Sequence, residues 1–133
     1  MDEKMISDLR MKSGAQWKKI VEKYGSGEKG TVLDFKDFLQ GRQAASVTLH
    51  GCSVELPVHR QNFIEFIYAY EGRIVTEIDG KELVQEKGDI LLMNQYVEHR
   101  VKPTGNENEA LILAALPDFF EKPLEMMKKQ SLI

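Results

Sequence analysis

Two histidines and one glutamate, His59, Glu65 and His99, are the residues of this sequence whose side chains are best suited to chemistry. Imidazole and carboxylate groups together suit a first-row transition metal, and these three would form a ligand set with open coordination positions. The same groups also suit hydrogen bonding to an organic ligand, or a structural pair that satisfies a buried carboxylate. All three roles are open, and we expect structural pairing or an organic ligand in preference to metal catalysis.

The spacing of His59 and Glu65 places a requirement on the backbone. In one straight strand the two residues would lie about 20 Å apart, at about 3.3 Å per residue. The chain must therefore turn between them, and we expect the turn at Gln61-Asn62 because Asn suits turn backbone angles. Gln61 would then offer only an amide oxygen, which binds a metal more weakly than imidazole does.

Other reactive or aromatic residues have structural interpretations. Cys52 is the single cysteine, so it forms no internal disulfide, and we expect a small half-buried hydrophobe in a reducing cytoplasm. His50 alternates with apolar residues and is predicted to be exposed on a sheet face. Phe66, Tyr68 and Tyr70 share one strand face and are predicted to pack in the core or under a helix, in preference to forming a binding cage.

Composition and charge exclude several classes of protein. The 133 residues include 18 Lys and Arg against 21 Asp and Glu, for a net charge of -3. No basic cluster suits the phosphates of nucleic acid, so any DNA binding would need another domain. The longest apolar run, 110–116, is far below the roughly 20 residues of a membrane-spanning helix. The first residues lack the apolar region of a secretory signal, and we expect a cytoplasmic protein.

The elements that position these residues fall into three parts. Residues 1–30 are predicted to be helical in two pieces, the second beginning after Ser13, which has the spacing of a capping box with Gln16. This second piece carries an apolar stripe at helical spacing, formed by Trp17, Ile20, Val21 and Tyr24. Residues 117–133 are again predicted to be helical, with Phe120, Leu124 and Met127 on one face, and to lead towards a further domain.

The central part, residues 31–116, has the two-residue period of β-strands. Eight strands are predicted, at residues 31–35, 45–50, 62–71, 73–79, 81–85, 90–93, 97–102 and 109–115. Asp79-Gly80 is predicted to form a type I′ turn between two of them. Short strands with frequent turns and no helix between them favour a mainly β fold, either an antiparallel β-barrel or a jelly roll.

Two segments of this region, 51–72 and 88–99, resemble the two motifs of the cupin superfamily. His59, Glu65 and Gly72 match the first motif, and Gly88 and His99 match the second. Two positions depart from the family pattern. Gln61 replaces the second metal-binding histidine, and Asn94-Gln95-Tyr96 replaces a Pro-x-Gly turn.

Within the cupins, the sequence is most similar to the N-terminal sensor domain of AraC-family transcription regulators. The similarity lies in residues 59–72, 78–80 and 88–92, in His99, and in Phe119-Phe120. It implies a barrel that binds a small effector. We expect a small polar or mixed molecule and no cofactor, with His59, Gln61, Glu65 and His99 as candidate hydrogen-bonding contacts. It also implies a homodimer, and DNA binding by a separate C-terminal domain that is absent from these residues.

Two alternatives to a sensor are open. In the first, the chain is a small metal-dependent cupin enzyme, an oxygenase or an isomerase, with His59, Glu65 and His99 on a divalent transition metal. In the second, the chain is a binding or dimerisation module whose barrel is filled by its own side chains.

Overall fold

The structure, a computed structural model, describes residues 2–25, 31–38, 45–52 and 55–119, together with residues 121, 123, 125 and 126. Helix α1 spans Glu3–Tyr24, and the Asp2 carboxylate caps it by accepting a hydrogen bond from the Met5 amide at 2.7 Å. The prediction of two helical pieces is wrong, because α1 is continuous across Ser13. The Ser13 hydroxyl does not cap a helix; it is buried and accepts a hydrogen bond from the Leu49 amide at 2.8 Å.

Nine strands in this part of the chain form two sheets. Their bounds are β1 Thr31–Leu33, β2 Ala45–Cys52, β3 His59–Gln61, β4 Ile64–Glu71, β5 Ile74–Ile78, β6 Lys81–Gln85, β7 Ile90–Met93, β8 His99–Val101 and β9 Gly105–Ala115. One sheet has the order β1-β3-β8-β5-β6, and the other has the order β2-β9-β4-β7. The mainly β architecture and the N-terminal helix are therefore as the sequence predicted.

The strand pairing differs from the prediction in two respects. The short strand β3 was not predicted, because its residues His59, Arg60 and Gln61 are all polar and display no apolar alternation. It pairs with β1 in parallel, so the fold is not purely antiparallel. The two sheets also remain separate among the described residues, with β1, β6, β2 and β7 at their edges, and they do not close into the predicted barrel.

The hydrophobic core lies between the inner faces of the two sheets and continues under α1. Phe63, Ile67, Ile74 and Ile112 are almost completely buried there. A short 3-10 helix, Phe35–Phe38, adds two buried aromatic rings, and the Phe38 ring lies 5.0 Å from Phe63 and 5.5 Å from Trp17 of α1. The predicted apolar stripe of the helix therefore contacts the same core as the sheets.

The predicted hairpin between β5 and β6 is confirmed. Ile78 and Lys81 are paired on either side of the turn, and Asp79 and Gly80 have φ angles of 49° and 80°. Positive values at both central residues are those of a type I′ turn, whose twist matches that of the two strands.

The chain beyond β9 continues in a 3-10 turn, Pro117–Phe119. The predicted helix over 117–133 falls mostly on residues outside the described ranges and stays a prediction. The side chain of Cys52 also lies outside them. Among the described helices, none combines the length and the apolar character needed to cross a lipid bilayer.

Candidate functional site

The pairing of β3 with β8 brings His59 and His99 together. The two residues are partners in the antiparallel register. Directly opposed residues project on the same side of a sheet, so the two imidazole rings meet, with centroids 4.7 Å apart and planes at 58°. Both side chains are buried on the face that looks towards the four-stranded sheet. The structure thus joins two histidines that are 40 positions apart in the sequence.

The hydrogen bonds of the two rings fix their protonation. Nδ1 of His59 lies 2.7 Å from the Pro57 carbonyl oxygen, and Nδ1 of His99 lies 3.1 Å from the Val97 carbonyl oxygen. A carbonyl oxygen only accepts, so Nδ1 donates in both rings and Nε2 keeps its lone pair. Burial lowers the pKa of both imidazoles, that of His59 to about 4 with a further contribution from His99, so both rings are neutral at pH 7.

Glu65 reaches this region from the opposite sheet, because the chain turns immediately after β3. Asn62 holds the turn through two hydrogen bonds. Its backbone amide donates to the Leu33 carbonyl at 3.1 Å, and its side-chain Oδ1 accepts from the Phe35 backbone amide at 2.7 Å. The predicted turn between His59 and Glu65 is therefore present. Burial raises the pKa of the Glu65 carboxyl to about 7, against the opposing effect of the Gln61 amide beside it.

Gln61 is almost completely buried at the end of β3. Its amide is near enough to Glu65 to favour the ionised carboxylate, but in the described part of the chain neither its oxygen nor its nitrogen completes a hydrogen bond. A buried amide without partners costs folding free energy. The structure therefore places Gln61 next to the site residues with its hydrogen-bonding capacity unused.

A cavity of about 20 Å³ lies between the sheets. Its polar lining comes from His50, His59, Glu65 and His99, and Trp17 of α1 also lines it. The rest of the lining is apolar, from Leu33, Leu56, Val101 and Ile112. One water molecule needs about 10–15 Å³ by this measure, so the cavity accommodates a water molecule and no organic compound in this conformation. Three of the four predicted site residues line the cavity, and Gln61 does not.

His50 and Trp17 belong to this cavity although the sequence did not indicate it. The prediction that His50 is exposed is wrong, since its side chain is buried and its ring lies 4.4 Å from the Trp17 ring. Three polar residues, Ser46, Thr48 and His50, form the inner face of β2. The polar face of this strand was therefore wrongly predicted to be the exposed one. Burial lowers the pKa of His50 to about 4, with His59 contributing.

The histidine and tryptophan also leave polar atoms unused. Both ring nitrogens of His50 and Nε1 of Trp17 lack a hydrogen-bond partner among the described residues. Trp17 belongs to the predicted apolar stripe of the helix, but no signal in the sequence identifies β2 as the strand it meets. Together with Gln61, these groups make the interior of the fold rich in unsatisfied donors and acceptors.

The metal ligands of the enzyme alternative can be compared with this geometry. Among the described residues, no three His, Cys, Asp or Glu side chains are arranged to hold one ion. The chemistry of the donors agrees with this, because Gln61 replaces an imidazole and burial favours the protonated form of Glu65. His59, Glu65 and His99 therefore do not fit a three-ligand metal site as they are arranged here.

Solved structures provide partial fold likenesses. A predicted oxalate decarboxylase from Thermotoga maritima has a TM-score of 0.44 and 22% identity, covering 54% of this chain and 64% of that chain, less than two thirds of its length. A protein from Neisseria meningitidis has a TM-score of 0.49 and 17% identity, with 57% and 79% covered. A cupin 2 conserved barrel domain protein from Salinispora arenicola has a TM-score of 0.48 and 17% identity, with 63% and 75% covered. No activity is carried over from any of them.

Family membership rests on a different comparison. No curated protein matches the chain. The profile of the family described as "Cupin domain" matches residues 46–116, which is more than half of the chain and includes His59, Glu65 and His99. The chain belongs to the cupin family.

Proposed function

We propose that this cupin chain is the small-molecule-sensing and dimerisation domain of an AraC-type transcription regulator in the cytoplasm, with DNA bound by a separate domain. His59, Gln61, Glu65 and His99 make the polar contacts to the effector, and no cofactor takes part. The proposal is therefore for a receptor and not for an enzyme. The observation that carries it is an interior cavity with four titratable side chains in a largely apolar lining, of which one side is formed by Trp17 of the N-terminal helix.

The polar groups of the interior indicate the kind of effector. The imidazoles of His50, His59 and His99 have lowered pKa values and are neutral at pH 7, and no Lys or Arg among the described residues lines the cavity. An anionic ligand would bury its charge without a fixed counter-charge, which is costly. A cationic ligand would have Glu65 alone, whose protonated form is favoured by burial. An uncharged molecule with hydroxyl or amide groups would instead use the free Nε2 lone pairs and the unpartnered Gln61 amide.

The size of the cavity couples binding to movement of α1. At about 20 Å³ the cavity excludes every organic molecule, so an effector must displace a lining side chain. Among the described lining residues, Trp17 alone comes from α1, and its indole is the largest side chain. The helix α1 then has two positions, one with the Trp17 indole in the cavity and one with the indole outside it. An effector that replaces the indole binds the second position in preference to the first. This differential affinity is what a sensor requires.

The single tryptophan of the sequence provides the experiment. The chain is screened by thermal unfolding against a panel of monosaccharides, polyols and small organic acids, and every compound that raises the melting temperature is then titrated while Trp17 fluorescence is recorded. We expect at least one uncharged compound to raise the melting temperature and to shift the Trp17 emission to longer wavelength as the indole leaves the cavity.

A double variant, His59→Ala with His99→Ala, tests the contacts. It should weaken the response to that compound, whereas Tyr96→Ala, at a residue that is 74% exposed and does not line the cavity, should retain it. A panel that leaves the melting temperature of the native chain unchanged would contradict the sensor proposal. Stabilisation without any change in Trp17 fluorescence would contradict the coupling to α1.

Elemental analysis separates this proposal from the metal-dependent enzyme. The chain is purified without added metal and its iron, manganese, nickel and zinc are measured against protein concentration. The receptor proposal expects folded protein with substoichiometric metal. Stoichiometric metal that is lost in His99→Ala would instead favour the enzyme.

A further inference from the structure

A surface cleft of about 520 Å³ lies beside the interior cavity. It is bordered by the C-terminal end of α1, by the connection between β2 and β3, and by Arg100 of β8. Its volume falls in the range of pockets that hold small organic molecules. The cleft therefore has the room for a ligand that the cavity of about 20 Å³ lacks.

Among the described lining residues, Leu56 is shared by the two spaces. Its side chain lines both the cleft and the cavity, and it is only 5% exposed. Helix α1 also borders both spaces, since Trp17 lines the cavity and Val21, four residues later on the same side of the helix, lines the cleft. One leucine side chain thus separates the polar groups of the interior from a space that is open to solvent.

The backbone around Leu56 is held in place, so its movable part is the side chain. Pro57 follows Leu56, and a proline restricts the backbone of the residue before it to extended conformations. The Pro57 carbonyl also accepts the hydrogen bond from Nδ1 of His59 at 2.7 Å. The Leu56 side chain can rotate between staggered rotamers. Because it is apolar, its rotation towards the cleft breaks no hydrogen bond.

The four-stranded sheet closes the cavity on another side. Its strands are hydrogen-bonded neighbours, and a ligand cannot pass between strands that are paired in this way. On the outer face of this sheet Tyr68 is 37% exposed and Leu92 is 58% exposed, and neither lines the cavity. The predicted packing of Tyr68 in the core or under a helix is therefore wrong.

We propose that small uncharged molecules enter the interior cavity from the cleft, past the side chain of Leu56, which acts as the gate. The inference rests on the proposed receptor function and names the entrance that this function needs. On entry the ligand meets the side of the cavity that is formed by Trp17 of α1. The gate and the sensing helix therefore border the same path.

The charges of the cleft indicate which molecules pass the gate. The cleft has two carboxylates, Glu22 and Glu55, and one guanidinium, Arg100, whose Nε donates to Glu77 at 3.1 Å. The charge around the cleft is therefore negative on balance, which disfavours anions. Any ion would also lose its hydration in passing the apolar Leu56 side chain, whereas an uncharged molecule loses much less.

Quenching of Trp17 fluorescence measures access to the cavity in the full chain, because Trp17 is the single tryptophan and lines the cavity. The probes are acrylamide, which is uncharged, and iodide, which is an anion. Leu56→Ala removes the gate. The matched control is Leu33→Ala, which makes the same truncation at a buried residue that lines the cavity but not the cleft.

We expect the quenching rate constant of acrylamide to rise at least about threefold in Leu56→Ala, because access no longer requires the gate to open. The rise in Leu33→Ala should be clearly smaller, and iodide quenching should stay near its native value in both variants. Circular dichroism and thermal unfolding verify that the variants are folded. Leu56→Val and Leu33→Val replace them if either is not.

Three results would overturn the inference. These are unchanged acrylamide quenching in Leu56→Ala, an equal rise in Leu56→Ala and Leu33→Ala, or an equal rise for acrylamide and iodide, which a general loosening of the fold would give. The measurement needs no effector, so the entrance can fail while the receptor function stands. A screen in which no compound raises the melting temperature overturns the receptor function and leaves the quenching result unaffected.

Discussion

His59 and His99 face each other across two paired strands, with ring centroids 4.7 Å apart, and each ring donates from Nδ1 to a backbone carbonyl two residues before it. The two hydrogen bonds set the tautomer and the orientation of both rings. Two imidazolium ions at this distance would repel each other in a buried environment, so the pair is stable only while at least one ring is neutral. The protonation of the site therefore changes at its histidines as pH falls, and at Glu65 as pH rises.

Glu65→Gln should change the pH dependence of stability on the alkaline side. The folded pKa of Glu65 is about 7 against 4.5 for the unfolded reference, so the unfolded chain loses its proton first and the native chain loses stability as pH rises from 4.5 through 7. A shift of this size corresponds to roughly 3 kcal/mol, which Glu65→Gln recovers at pH 8. Urea unfolding between pH 4 and 8.5 measures the difference.

The control for this variant is Glu55→Gln, which removes the same charge from an exposed position. It should leave the shape of the pH profile unchanged. If the native chain and Glu65→Gln lose stability in parallel between pH 4.5 and 8, the buried carboxyl does not titrate as described.

His50→Leu should stabilise the protein, and more so in acid. Both ring nitrogens of His50 are buried without partners among the described residues, and its pKa falls from 6.5 to about 4, so the unfolded chain takes up a proton before the native chain does. Stability due to the neutral ring is therefore lost as pH falls from 6.5 towards 4. At pH 5 we expect a gain of about 1 to 3 kcal/mol in the free energy of unfolding.

The comparison for this prediction is His59→Leu. That change removes the donor to the Pro57 carbonyl and should stabilise less than His50→Leu or destabilise the chain. A His50→Leu variant that is less stable than the native chain at pH 5 would show that the ring has partners that the structure does not include.

Ser13→Ala should loosen α1 from the sheet. The Ser13 hydroxyl accepts a hydrogen bond from the buried Leu49 amide at 2.8 Å. Without the hydroxyl, that amide has no partner, which lowers the free energy of unfolding by about 1 to 3 kcal/mol. Trp17 lies one turn further along the same helix. Its fluorescence in Ser13→Ala should therefore change at lower denaturant concentrations than in the native chain. Ser7→Ala, at an exposed position of α1, is the matched variant; equal unfolding midpoints for the two variants would contradict the role of Ser13.

The features that the sequence predicted correctly are those specified by neighbouring residues. The Asp79-Gly80 turn needs only two residues that tolerate positive φ, and the stripe containing Trp17 and Ile20 needs only helical spacing. The convergence of His59, Glu65 and His99 was predicted through the cupin motifs, because their distances along the chain say nothing about which strands become neighbours.

The features that the sequence did not predict depend on tertiary packing. Ser13 has the spacing of a capping residue, yet the strand beside it supplies a donor that its hydroxyl accepts. His50 is polar and was expected on the surface, but β2 turns its polar side inward and its apolar side outward. In both cases the residues in contact are distant in the sequence. The local sequence pattern therefore predicted the wrong surroundings for Ser13 and for His50.

The order of strands in the four-stranded sheet has a consequence for biosynthesis. β9 lies between β2 and β4, so the last of the described strands completes the middle of the sheet. While the ribosome is still making residues 72–104, β2 and β4 have both been translated without the strand that will join them. This half of the domain therefore assembles only after Ala115 has been translated, and a nascent chain that stalls earlier presents apolar strand edges to chaperones or to other nascent chains.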